Sequence, residues 1–449
     1  MSESGSGCDS ERLLATARQA CERAMKAGAE WCDVVVSSGA DVAVNIENGS
    51  VKTAESVESR ALSVRAFIGG GRGLCTANGF ESDEVQACAD RAVAMAGAAQ
   101  PDPDFVGLPV PEQAEEIDGL YDDAVAVMPV AEVVKIAAAN IEEARGVNAD
   151  VILMGDVGRS VSEAALVNSA GMAFSRRGTH LDVSFHAIVR QGDDAGSFFD
   201  FDTGRRIEDV QPYGLGTSVT EMAMRFLGAR KVASTRMPVV LGPLASFSLF
   251  GSLAGAASAE SIQRRRSFLL GQAGKKLGSE HVTLLDDGLA PSGLRSGSHD
   301  GEGAVRRRVT IFESGVFNAM LHNSYTAAKA NEPNTGHGSQ GSNVSPTNLK
   351  PKLGTMTAEE IIADTPEGLY MNIGSLNPDP VSGDISASVD FGFKIENGKL
   401  AYPVVNTMLS GHIFEILRDI DAVSSDCRQE PGNILPTVRI RQMQVAGAG

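Results

Sequence analysis

The stretch "SHDGEG" at 298–303 sets one imidazole, His299, beside two carboxylates, Asp300 and Glu302. Such a trio has the parts for general acid–base chemistry, in which one group gives a proton and another takes one. A turn capped by its own carboxylates accounts for the same residues equally well. "GHGSQG" at 336–341 satisfies the spacing GxGxxG, but it follows a loop and precedes "SNVSPTNLKP". With no strand before it and no helix after it, a dinucleotide site is excluded. Thr326 and Lys329 have a hydroxyl–lysine spacing that a helix surface explains better. The chain holds neither a Walker A sequence nor a GxSxG elbow. Its histidines, at 180, 186, 281, 299, 322, 337 and 412, are never three, four or five apart, so no helical turn offers a pair of zinc ligands. Cys8, Cys21, Cys32, Cys75, Cys88 and Cys427 form no CxxC pair and read as reduced thiols.

Composition narrows the partners. A formal charge of −18 over 449 residues argues against nucleic acid and against an anionic membrane surface. The basic runs Arg264–Arg266 and Arg306–Arg308 are short and read as salt-bridge donors. The start, "MSESGSGCDSERLL", has no apolar export segment, so a cytoplasmic protein is expected. Met237 to Ala259 is free of charge, yet Gly, Ser and Pro dilute it too far for a membrane span. Gly251 and Gly255, and Ser248, Ser252 and Ala256, recur every fourth position. That spacing predicts a buried helix over 246–266 with a small-residue face that another backbone approaches closely.

The elements that must position these residues fall into two regions. Residues 1–230 read as an α+β domain of two similar halves, about 1–110 and 111–230, each running helix, antiparallel strands, helix. The joint is the proline-rich "QPDPDFVGLPVPEQ". In the first half "CDVVVS", "VAVNIENGSV" and "ALSVRAFI" read as short strands, with Asn48-Gly49 as a hairpin turn. Residues 231–449 read as a β-rich domain with the small-residue helix at its centre, a hairpin at Asn397-Gly398 and a long irregular loop at 330–356.

From "LGPLASFSLFGSLAGAASAESIQRRRSFLLGQAGKKLGSEHVTLLDDG" onward, through "SHDGEGAVRRRVTIFESGVFNAMLHNSYTAAKA", "TGHG", "VSPTNL", "GFKIENGKLAYPV" and "PTVRI", the chain resembles the TldD/PmbA family of metallopeptidase-related proteins. "VAVNIENGSVKTAESVESRALSVRAFIGGGRGLCTAN" fits the same family, so the resemblance spans essentially the whole chain. In the catalytic branch of that family a helix carries HExxxH and a C-terminal cysteine completes a zinc site. Aligned on Leu241-Gly242 and Arg264-Arg265 without a gap, the two metal histidines fall on Gly251 and Ala256 and the glutamate on Ser252. Gly and Ala carry no donor atoms, and a serine hydroxyl is no carboxylate base. Cys427, in "SSDCRQEPG", lies near the third-ligand position without the family's glycine-rich surroundings.

The resemblance is to the PmbA/TldE-like, non-catalytic branch. It implies a subunit without a cofactor of its own, paired with a TldD-like zinc peptidase that supplies the zinc, the base and the activity. The substrate class implied is unfolded peptide or peptide precursor. Arg264, Arg265, His299, Asp300, Glu302, His337 and Asn348 are then the expected cleft or substrate contacts, and the 330–356 loop could lie over a peptide as an added strand. A homodimeric peptide-binding or scaffold protein is the alternative.

Overall fold

The computed structural model describes residues 7–447 apart from Ser342. Of the expected free thiols, Cys21, Cys32, Cys75, Cys88 and Cys427 are unpaired, and the Cys8 side chain lies outside this description. The chain is α+β. Its first part runs α1 (Gly7–Lys26), β1 (Trp31–Glu47), β2 (Ser50–Ile68), β3 (Gly71–Ala77) and α2 (Ser82–Ala98). The order then recurs as α3 (Asp123–Ala126), α4 (Val130–Val147), β4 (Ile152–Asn168), β5 (Ala173–Gln191), β6 (Asp194–Gly204) and α5 (Leu215–Arg225).

These strands form one antiparallel sheet in the order β3-β2-β1-β4-β5-β6, so the two halves join through β1 and β4. Even-numbered residues of β1 face the helices. Val34 and Val36 pack in the cluster beneath α1 and α2, while Val42, Val44 and Ile46 pack beneath α4 and α5. "CDVVVS" and "VAVNIE", expected as separate strands, are a single strand, because β2 and β4 pair both edges straight through Ser37–Ala40. Asn48 (φ 50°) and Gly49 (φ 68°) turn β1 into β2, the left-handed pair that a two-residue hairpin requires.

The second part begins with β7 (Thr235–Leu241), α6 (Pro243–Ala256) and α7 (Ala259–Gln263). Next come β8 (Leu284–Asp287), β9 (Arg308–Glu313), β10 (Val316–Phe317), α8 (Ser324–Ala330) and β11 (Leu349–Pro351), whose strands make a four-stranded sheet in the order β10-β9-β8-β11. After α9 (Ala358–Ala363) follow β12 (Glu367–Ile373), β13 (Asp384–Ser388), β14 (Phe391–Glu396), β15 (Lys399–Pro403), β16 (Thr407–His412), α10 (Ile413–Asp419), β17 (Ile420–Glu430) and β18 (Asn433–Gly447). The larger sheet reads β13-β16-β18-β7-β12-β14-β15, with β17 paired to β18. Only β7 and β12 are parallel neighbours in it. Phe391 and Phe393 of β14 stack into Phe198 and Phe226 of the first part, which ties the two regions together. Among the described residues no helix is long and apolar enough to cross a membrane.

Candidate functional site

The helix expected over 246–266 is two helices, not one. Gly242 caps α6, Pro243 occupies its first turn, and the helix stops at Ala257. Ser258 then caps α7, its side chain accepting from the Ser261 amide, and α7 ends at Arg264. Arg265 follows in a left-handed conformation (φ 55°), which breaks the helical path expected to reach 266.

One side of α6 is deeply set. Leu249, Phe250 and Leu253 are buried, and the hydroxyl of Ser246 donates to the Pro436 carbonyl on β18 at 2.6 Å. The opposite side carries Ser248, Gly251, Ser252, Gly255 and Ala256, all half-exposed. A methyl group built at Gly251 or Gly255 would touch nothing within 4 Å. At Gly251 and Gly255 the expected close backbone approach is therefore absent and the helix borders open space, whereas at Ser248 the Leu376 amide donates to the hydroxyl at 2.9 Å. Ser252 shares its hydroxyl proton between the Ser248 carbonyl at 2.9 Å and Asn377 Oδ1 at 3.1 Å. Gly251→Ala should consequently stabilise the fold by about 0.5–1 kcal/mol through helix propensity alone. Urea denaturation measures this, and a loss of stability would mean that the face is packed after all.

Cys427 lies on β17 opposite Pro436, and its Sγ accepts from Gln429 Nε2 at 3.6 Å. Burial pushes its thiol up from the ordinary cysteine value. Among the described residues no three His, Cys, Asp or Glu side chains are grouped to hold a metal ion.

The charged candidates do not converge on one cleft. Asp300 is fully buried; it accepts the amides of Glu302 and Ala304 at 2.9 Å and of Gly338 at 2.7 Å. Glu302, also buried, meets Arg65 Nη1 at 3.3 Å and the Ser324 amide at 3.1 Å. Arg65 lies opposite Asp33 in the β1–β2 register, and its Nε–H reaches Asp33 Oδ2 at 3.0 Å. Gln340 closes the group, donating to Asp33 Oδ1 at 2.9 Å. Burial alone would weaken the charge on Arg65, but Asp33 and Glu302 outweigh it and hold the guanidinium protonated. The expected acid–base pair is thus a saturated ionic seam between the N-terminal sheet and the C-terminal region, with burial raising both Asp300 and Glu302 above the carboxylate range.

His337 is equally engaged: Nε2 meets Asp286 Oδ1 at 3.0 Å and Nδ1 meets Thr335 Oγ1 at 2.9 Å. Asn348, fully buried, holds the Asp287 carbonyl at 2.7 Å and Ser296 Oγ at 2.9 Å. Gly336–Gly338 are buried too, so that part of the 330–356 loop is threaded inward rather than laid over a surface. His299 stacks on Phe174 with ring centroids 4.4 Å apart, and burial lowers its pKa. His299 and His337 both line a cavity of about 1380 Å³ between the two regions. Arg264 pairs with Glu260 at 3.2 Å and lines a second cavity of about 450 Å³ with Glu302. Arg265 is exposed. Asp33, Arg65, Gln340 and Asp286, central to these networks, carry no local sequence signal.

Comparison with known proteins settles the lineage. The family pattern described as "PmbA/TldA metallopeptidase C-terminal domain" matches residues 234–447, and "PmbA/TldA metallopeptidase domain 1" matches residues 32–96. A "Metalloprotease" of Methanothermobacter thermautotrophicus is 30% identical over 314 residues, which cover 64% of this chain and 68% of that protein. The chain belongs to the PmbA/TldD family. "Metalloprotease PmbA" of Escherichia coli O157:H7 is 24% identical over 428 residues, 93% of this chain and 92% of its own. The crystal structure of TldE from Thermococcus kodakarensis shares the fold with a TM-score of 0.88 at 22% identity, covering 96% of this chain and all of that one. For a PmbA/TldD protein, the donor set on α6 decides whether zinc fits. The open face offers two serine hydroxyls and no imidazole, thiolate or carboxylate, so the residues present do not fit a zinc centre there.

Proposed function

We propose that this chain is the non-catalytic, TldE-type subunit of a two-subunit zinc peptidase acting on unfolded peptides or peptide precursors. One observation carries the reading: α6 borders free space at Gly251 and Gly255, yet that face carries no side chain able to bind metal or activate water. A helix kept solely for packing would fill that space. A face of Gly, Ser and Ala instead leaves room for a peptide chain or for the surface of another subunit. In this reading the partner contributes the metal and the base, and this chain forms part of the chamber wall. The names of its relatives, metalloprotease PmbA and TldE, support the peptidase context.

Co-expression with an HExxxH-bearing family member from the same source tests the proposal. The expected result is a stable complex with zinc in the partner alone and peptidase activity that neither chain shows by itself. If the purified chain stays a homodimer in the partner's presence, or binds stoichiometric zinc unaided, the subunit reading fails.

A further inference from the structure

We propose that the larger cavity between the N-terminal sheet and the C-terminal region binds acidic peptide, with Arg176 and Arg306 holding its carboxylates. The chain as a whole is strongly acidic, yet this cavity gathers arginines from both sides: Arg176 from β5, Arg205 just after β6, and Arg306 from the segment before β9. Their neighbours in sequence are ion-paired. Arg307 meets Glu112 at 2.7 Å, and Arg308 meets Asp287 at 3.2 Å. Arg306 makes no ion pair among the described residues. Its Nη1 donates to the Gly336 carbonyl at 3.1 Å, and its Nε–H is buried without an acceptor. The Arg176 side chain has neither an ion pair nor a hydrogen bond among the described residues. Arg205 is fixed by the carbonyls of Gly293, Thr179 and Leu294 and meets no carboxylate among the described residues.

These guanidiniums also disfavour one another. Burial lowers the pKa of all three, and the charge of Arg176 adds to the effect on Arg205 and Arg306. Arg176 is exposed along the cavity wall, so water hydrates its charge, but no carboxylate among the described residues pairs with it. Asp300 faces both Arg176 and Arg306, but three backbone amides already occupy it, and Asp286, which also faces Arg306, is engaged by His337 and the Thr347 amide. Glu115, Glu116 and Asp118 also line the cavity on an exposed segment, and Glu163 lines it from β4 opposite Arg177. Guanidinium forks without partners match carboxylate geometry, and an entering anion would relieve both desolvation and repulsion.

Size selects the ligand. At about 1380 Å³ the cavity exceeds the roughly 300–1,000 Å³ of small-molecule sites. Arg176 and Arg306 also belong to different walls, so a chain bearing several carboxylates engages more of the site than a single small ion can.

The inference concerns this chain alone and does not depend on the subunit reading, because the assay contains no partner. Fluorescein-labelled hexaglutamate is titrated with the full chain and followed by fluorescence anisotropy, with labelled hexalysine as control. Saturable binding of hexaglutamate alone is expected, weakening as salt rises. Arg176→Gln and Arg306→Gln should each reduce affinity about tenfold or more. Removing unpartnered Arg176 should leave the melting temperature unchanged or higher, so a fall would assign it a structural role and overturn the proposal. Equal binding by wild type and both variants would also overturn it. So would inorganic phosphate binding as tightly as the peptide, which would make the cavity a small-oxyanion site.

Discussion

Arg65→Met should destabilise the folded chain by about 3–5 kcal/mol, the range for removing one member of a buried ion pair. Two enclosed carboxylates, Asp33 and Glu302, then lose the cation between them. The deficit should depend on pH. In the folded chain Glu302 holds its proton more tightly than an ordinary glutamate, mainly because burial strips water from it, with Arg65 opposing. A raised folded pKa contributes stability that is fully present below the unfolded value of roughly 4.3 and is lost as pH rises through the folded value. Without Arg65 that folded value climbs further. The variant should therefore be closest to wild type near pH 5 and furthest from it near pH 8. Urea midpoints across that span give the answer, and a deficit that is flat with pH or below about 1 kcal/mol would remove the seam from the account of stability.

On the subunit reading proposed above, Gly255→Trp should cut the peptidase activity of the complex on the order of 100-fold, or prevent assembly, while hardly changing the stability of this chain alone. A Trp side chain introduces roughly 150–250 Å² of surface. An added Cβ at Gly255 meets nothing within 4 Å outside its own helix, and displacing a bound chain by about 1 Å is enough for such a loss. Val127→Trp, at a position 77% exposed in the N-terminal region, is the control. If the Gly255→Trp complex forms and cleaves as well as the control, the open side of α6 has no part in the assembly.

What could be read before folding was whatever chemistry is local. Asn48-Gly49 and Asn397-Gly398 are legible as hairpins because both residues of each pair adopt positive φ, a demand met within two positions. That the open face of α6 carries no imidazole, thiolate or carboxylate was equally legible, because it needs only residue types along one helix. The ionic seam was not. Counting back from the Asn48-Gly49 turn pairs Asp33 with Val64, which would put Arg65 on the other face. A β-bulge intervenes: Ile46 pairs with Val51 but Asn45 with Thr53, so Lys52 is extra and Asp33 comes to face Arg65. Glu302 then arrives from another region of the chain altogether. Arg306 was misread for a similar reason. Beside Arg307 and Arg308 it looks like one more salt-bridge donor, and only the tertiary fold withholds its carboxylate.

The seam between β1 and β4 also sets a timetable for synthesis. Ile46 must wait for Gly155 and Asp33 for Asn168 before that edge is hydrogen-bonded. At translation rates of ~5–20 residues per second, the wait lasts roughly 5–25 s. During that interval the nascent first half offers a long, valine-rich ribbon margin to any other strand in the cell.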